Sequence, residues 1–175
     1  MPSSPSQKPP TRNKAALAVA CTAAALACLP LTRTSEGLRT RAYRDPAHIL
    51  TVCYGETQGI DPTKIYSSDE CALRLRQRLA QSFAPKIAGC LPEVVPERRT
   101  AVFGALLDAA YNAGPQAVCN SRMARSIHAG QWAQGCDGFY GWYATARDRR
   151  TGQRIQLKGL QLRRAKEAVL CRQGL

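Results

Sequence analysis

The segment 15–31 carries no charge and lies between Lys14 and Arg33. Its composition, Ala-rich with Thr22 inside and Pro30 near its end, is apolar enough for a helix yet marginal for a permanent membrane span. Residues 1–14 are Pro, Ser and polar, with Lys8, Arg12 and Lys14, and read as a disordered tail. Past the apolar segment, 34–40 is polar, and Gly37 is placed to cap a helix end. The region 41–60 alternates loosely around a turn at Asp45-Pro46 and predicts a small hairpin or a three-stranded sheet. Ser67-Ser68-Asp69-Glu70 is a helix start, a serine cap followed by acids in the first turn. The helix 69–83 places Leu73, Leu75, Leu79 and Phe83 on or near one face. Pro85, Gly89, Pro92 and Pro96 punctuate the stretch after it. Pro96-Glu97 opens a central apolar helix that runs through Ala113. Shorter helices are expected over 117–129 and 131–143, then a basic loop over 145–158 and a closing helix over 159–171. No internal repeat is visible. The pattern predicts an α+β chain, mainly α: a large helical lobe, a small β lobe and a cleft between them.

The 175 residues suffice for one domain with a core of its own. Net charge is +13, and from Ala146 onward only Asp148 and Glu167 oppose a run of Lys and Arg. Such a surface seeks polyanions, whether nucleic acid, cell wall or membrane, or serves solubility alone. Eight cysteines with no Cys-x-x-Cys, beside the isolated His48 and His128, argue against zinc. They point to disulfides and an oxidising compartment such as the bacterial periplasm. The plainer alternative is that several are small buried hydrophobes.

Basic residues ahead of the apolar segment favour export with the N-terminus left in the cytoplasm. Three readings of the segment compete. Ala23-Ala24-Ala25 offers a signal-peptidase site. Ala25-Leu26-Ala27-Cys28 is a weak lipoprotein signal. The favoured reading is an uncleaved anchor whose low hydrophobicity lets it leave the bilayer again, since each Ala contributes little transfer energy.

Candidate chemistry lies just beyond. Glu36 sits at the end of the apolar segment, Asp45 opens a turn nine residues later, and Thr51 comes next, in the β-like stretch that ends Val52-Cys53-Tyr54-Gly55. Two carboxyls across a cleft, one protonated and one ionised, are what glycosidic-bond hydrolysis requires. A pair at this spacing alone is weak evidence, because Asp-Pro also starts ordinary turns.

With the threonine, however, this Glu-x8-Asp-x5-Thr run resembles the signature of the phage lysozymes, glycoside hydrolase family 24. Ala105-Leu106-Leu107-Asp108-Ala109-Ala110-Tyr111-Asn112-Ala113-Gly114 resembles the family's central helix. Cys136-Asp137-Gly138-Phe139-Tyr140-Gly141-Trp142 resembles its Trp-bearing segment, and Gly159-Leu160-Gln161-Leu162-Arg163-Arg164-Ala165-Lys166-Glu167 its closing helix. The likeness covers roughly 34–173.

The resemblance implies a two-lobe lysozyme-like fold over 34–175, a cytoplasmic tail over 1–14 and a signal-anchor-release segment over 15–33. It implies an inverting muramidase with Glu36 as general acid, Asp45 as general base and Thr51 orienting the water. Such an acid must hold its proton at neutral pH, which a partly desolvated cleft wall favours. Tyr111 and Asn112 fall where the family's cleft touches sugar, Arg164 matches the arginine beside the catalytic acid, and Trp142 reads as core. No metal or organic cofactor is needed, since two carboxyls and water suffice. Implied partners are peptidoglycan, the host inner membrane as a transient anchor site and the Sec machinery, with holin-dependent release into the periplasm. The implied enzyme is a monomer and binds no nucleic acid.

One departure stands out. Where relatives read Tyr-Gly-His-Thr, this chain has Tyr54-Gly55-Glu56-Thr57. The family histidine pairs with an acid on the next helix, and Arg78 occupies the matching place, so a reversed Glu56–Arg78 pair is expected. If Cys21 and Cys28 belong to the anchor, the resemblance brings Cys119 to Cys136. Cys53 could then meet Cys71, leaving Cys90 with Cys171. Two rival functions explain less. A nucleic-acid-binding protein accounts for the charge but has few aromatics for stacking. An exported wall-binding protein without hydrolysis leaves the carboxyl pair idle.

Overall fold

The computed structural model describes residues 13–45, 47–147 and 150–175, so residues 1–12 of the expected tail over 1–14, with Pro46, Asp148 and Arg149, lie outside the described residues. Asn13 and Lys14 belong to the start of a helix rather than to a tail. A single helix, α1 (Lys14–Glu36), absorbs the whole apolar segment and runs on to the candidate acid. Asn13 caps its start by accepting from the Ala15 N–H at 3.1 Å. Gly37, at φ 73°, ends it and donates to the Arg33 carbonyl, a conformation that costs a glycine little. Pro30 lies inside this helix. A boundary at 33/34 between anchor and enzyme therefore falls within one continuous element.

The β lobe is a two-stranded antiparallel hairpin, β1 (Arg39–Arg44) and β2 (Leu50–Cys53), with Tyr43 facing Thr51 and Arg44 facing Leu50. Single bridges from Arg41 to Ile65 and from Val52 to Glu56 extend it. Next comes α2 (Ser68–Arg78), opened by a capping box in which Ser67 and Glu70 satisfy each other's backbone N–H. The expected stop near Phe83 does not occur. The chain widens into a π-helical stretch, Leu79–Phe83, and continues as α3 (Ala84–Cys90). Pro85 is accommodated because it sits in the first turn of α3, where its missing N–H costs little.

A 3-10 turn at Glu97–Arg99 leads into α4 (Thr100–Ala113), which is buried from Val102 through Ala110. After it, the expected segment 117–129 is split between α5 (Pro115–Cys119) and α6 (Arg122–His128), and the expected segment 131–143 is helical only over α7 (Trp132–Asp137). Within the expected basic loop, β3 (Thr145–Arg147) and β4 (Arg154–Gln156) pair as a second hairpin. The last helix is α8 (Lys158–Arg172).

Helix α4 is the axis of the core, with α1 and α8 packed against it. Helix α1 buries Cys21, Ala24, Ala25, Cys28 and Thr32, a stripe at helical spacing, while Val19 and Leu26 stay exposed on the other side. Close approach is possible because Gly104 faces this stripe.

Three disulfides close the body: Cys53–Cys71, Cys90–Cys119 and Cys136–Cys171. The first is the expected pair. The other two correct the expected Cys119–Cys136 and Cys90–Cys171 pairings. The reason is packing: α3 lies against α5 and α7 against α8, so each cysteine meets one on its own packing partner. Cys21 and Cys28 take part in none of the three.

Candidate active site

Glu36 is the last residue of α1, so the helix that fills the core also delivers the candidate acid to the cleft. Its side chain is 25% exposed. It borders a cavity of about 550 Å³ whose wall includes Thr34, Asn112, Lys158, Arg163 and Lys166. Arg163 Nη1 donates to Glu36 Oε1 at 2.6 Å.

Asp45, just after β1, and Thr51, on β2, lie at the loop end of the β1–β2 hairpin and do not line that cavity. Asp45 Oδ1 accepts the Ala47 and Ile49 N–H groups at 2.8 and 2.9 Å, which pins the carboxylate in its turn. No described residue donates to its other oxygen. Thr51 is 4% exposed, and its hydroxyl donates to the Ile49 carbonyl at 3.0 Å, so the loop that carries Asp45 is tied to the strand that carries Thr51.

The lobes are clamped together beside the cleft. Tyr111 on α4 donates its hydroxyl to the Tyr54 carbonyl at 2.7 Å, and Arg33 Nε donates to the Tyr54 hydroxyl at 2.9 Å. Burial, and then the nearness of Glu36, push the Tyr111 phenol up from its ordinary range, so it stays a hydrogen-bond donor. Expected as a sugar contact, Tyr111 has its hydroxyl engaged in joining the lobes. The expected Glu56–Arg78 ion pair is present, with Arg78 Nη1 donating to Glu56 Oε1.

One expectation needs correction. The arginine that reaches Glu36 is Arg163, not Arg164. Neighbouring helix residues point about 100° apart, and the packing of α8 on α4 turns Arg163 toward the acid. Arg164, fully buried, instead donates to Asn112 Oδ1 at 2.7 Å and lies 5.1 Å from the Trp142 ring centroid. It thereby fixes Asn112 at the cavity edge.

Behind Glu36 is a buried polar cluster that the pattern of the sequence does not single out. Arg163 donates to both carboxylate oxygens of Asp108, through Nε at 2.9 Å and Nη2 at 3.1 Å. Thr32 Oγ1 on α1 donates to Asp108 Oδ1 at 2.6 Å. Burial alone would lower Arg163, yet Asp108 and Glu36 outweigh it and hold the guanidinium above its ordinary range. Glu167, fully buried, stands 3.1 Å from Arg164 Nη2 and 3.6 Å from Arg163 Nε. Burial, then the Asp108 carboxylate, push it well above the usual carboxylate range, which favours its protonated form. Asp108 escapes notice because it sits in an apolar run that reads as plain core. Its signal is a lone acid at a position the helical periodicity buries.

Two lobes, a carboxyl at the end of a core helix and a hairpin carrying a second carboxyl define a lysozyme-like fold. Solved structures agree. The muramidase domain of SpmX from Asticaccaulis excentricus superposes with a TM-score of 0.71 at 24% identity, covering 82% of this chain and 93% of that one. The active form of the P1 phage endolysin Lyz superposes at 0.64 and 22%, covering 89% and 92%. The Phage lysozyme family pattern matches residues 33–167, and the chain belongs to that family. Among its relatives, the SAR-endolysin of Bacteriophage PS119 is 32% identical, with 95% of this chain and 96% of that protein aligned. The SAR-endolysin of Enterobacteria phage P21 is also 32% identical, at 95% and 98%.

Proposed function

We propose that Glu36, Asp45 and Thr51 cut the β-1,4 bond between N-acetylmuramic acid and N-acetylglucosamine. The chain is a phage endolysin, a glycoside hydrolase of lysozyme type acting on peptidoglycan. Glu36 protonates the leaving oxygen, Asp45 takes a proton from the attacking water, and Thr51 positions that water. Inversion at the anomeric carbon results if water, rather than a carboxylate, attacks. The observation that carries this reading is the placement of Glu36, a partly exposed carboxyl at a helix end, bordering a cavity of about 550 Å³. The pinned Asp45, with one oxygen free of described donors, supports its role toward water. Asn112 at the cavity edge is suited to a sugar amide or hydroxyl. Two carboxyls and water need no metal or cofactor.

The N-terminal helix is long and apolar enough to cross a membrane, and the relatives are SAR-endolysins. Together these point to membrane anchoring and later release. In the finer reading, 1–14 stays in the cytoplasm, 15–33 spans the inner membrane after Sec export, and holin action frees the uncleaved chain into the periplasm. In the released form α1 is the core helix described above. Clearing of chloroform-treated Gram-negative cells by the wild type but not by Glu36→Gln tests the catalytic reading. Equal clearing by both would refute it.

A further inference from the structure

We propose that Asp108 is a positioning residue for the reaction: it takes up the charge of Arg163 so that Glu36 can hold the proton it must deliver. The proposal rests on the reading of Glu36 as general acid. A guanidinium beside a carboxyl favours the ionised form, which is the wrong form for an acid at neutral pH. Arg163 is nonetheless bonded to Glu36 at 2.6 Å. What relieves the conflict is geometry. Arg163 gives Nε and Nη2 to Asp108 in a bidentate pair and only Nη1 to Glu36. Nη2 also reaches the Asp108 backbone carbonyl at 3.3 Å. The fork is thus held by α4, not by the acid it touches.

The charges facing this point come from three helices. From α1 come Glu36 and the neutral Thr32 and Cys28. Asp108 comes from α4, with the neutral Tyr111 and Asn112. Arg163, Arg164 and Glu167 come from α8. Lys158 and Lys166 stand at the solvent side of the cavity. Burial and the neighbouring Asp108 favour the protonated form of Glu167, and the bidentate contact makes Asp108 the carboxylate set directly against the Arg163 guanidinium when Glu36 is protonated. Remove that anion and Glu36 must ionise to balance the arginines. Thr32 contributes by donating to Asp108 Oδ1 at 2.6 Å, so the core helix that ends in Glu36 also orients the group that compensates Arg163.

The test is the pH dependence of kcat/KM on purified peptidoglycan at fixed ionic strength, using the released full-length chain. Asp108→Asn keeps the shape and removes the charge. Its alkaline limb should move at least about one pH unit lower, with about tenfold less activity above the limb for each unit and near wild-type activity well below it. Thr32→Val, which keeps every charge but loses the hydrogen bond that orients Asp108, should move the limb in the same direction and by less than Asp108→Asn does. A uniform loss at every pH with an unmoved limb in Asp108→Asn would assign Asp108 a merely structural role and overturn the proposal. If Asp108→Asn does not fold, carbon-13 titration of the wild-type carboxyls decides. Glu167 should keep its proton at pH 7; a Glu167 ionised there would supply the counter-charge itself and overturn it. Activity in Glu36→Gln would sink the underlying reading instead, so the two failures are distinguishable.

Discussion

Gly104 on α4 sits directly against Ala24 on α1: a methyl group at Gly104 would lie 3.2 Å from the Ala24 carbonyl oxygen and 3.1 Å from the Ala27 Cβ. Any larger side chain there meets backbone that cannot yield locally. Gly104→Val should therefore destabilise the soluble enzyme by about 1–3 kcal/mol, the usual cost of overpacking. It should do so by pushing α1 off α4, leaving anchoring in the membrane intact. Thermal melts of the released protein, beside membrane fractionation of the unreleased one, check both halves.

The carboxyl roles differ in what their removal should do. Asp45→Asn keeps the hydrogen bonds from Ala47 and Ile49 within reach but removes the proposed base, so activity should fall at least about a hundredfold, the low end of general-base catalysis. Thr51→Ala should lower activity less. It should also cost about 1 kcal/mol of stability, since a buried hydrogen bond to the Ile49 carbonyl is lost. Proton NMR of the first product on a defined oligosaccharide should show an inverted anomer. Products with anhydro ends would instead indicate a transglycosylase.

How much of the molecule is legible in its sequence can be judged at particular residues. The Ser67 cap is legible because a serine followed by acids is a local signal, and the Glu56–Arg78 pair is implied by the family resemblance, with Arg78 placed by counting along α2. Glu36, Asp45 and Thr51 are singled out by their resemblance to the family signature rather than by spacing alone, and they stand on the end of α1 and on the hairpin. Arg163 is missed in favour of Arg164 because the rotation of α8 about its own axis is set by packing on α4, which no local pattern encodes. The two mispaired disulfides fail for the same reason. They join helices whose contacts are purely tertiary. The β3–β4 hairpin is hidden because its strands are short and lack apolar alternation; all of β4 is exposed.

Disulfide connectivity has a measurable consequence. Peptide mapping without reduction should return Cys53–Cys71, Cys90–Cys119 and Cys136–Cys171. With sequence separations of 18, 29 and 35, each closes a loop worth about 3–4 kcal/mol in the chain-entropy account. Replacing Cys136 and Cys171 together by serine should then lower the melting temperature more than replacing Cys53 and Cys71. Recovery of Cys119 joined to Cys136 would contradict the structure.

The anchor's composition should control timing. Replacing several alanines of α1 with leucine adds apolar area at about 25 cal/mol per Å², which favours the bilayer over release. Confined to its exposed face, around Val19 and Leu26, the change leaves the docking stripe intact. Lysis should be delayed, and the protein released by detergent should clear cells at the wild-type rate. Mature protein beginning after Ala25 would show an ordinary signal peptide and end this account.

Glu167 makes stability depend on pH in an unusual direction for an acid. Its carboxyl is raised from 4.5 to about 10 in the folded chain. Between those values the folded state holds a proton that the unfolded state has released. Stability is therefore full below about pH 4.5 and falls as pH rises toward 10. Glu167→Gln keeps the shape of the neutral acid without the titration, so it should remove this loss. The variant should match the wild type near pH 4.5 and melt progressively higher than it from pH 6 to 9. Arg164, bonded to Asn112 and lying over Trp142, keeps its place in both proteins. Melting curves at closely spaced pH values measure the effect, and a variant that loses stability at pH 9 relative to wild type would show that Glu167 is ionised and paired with the arginines instead.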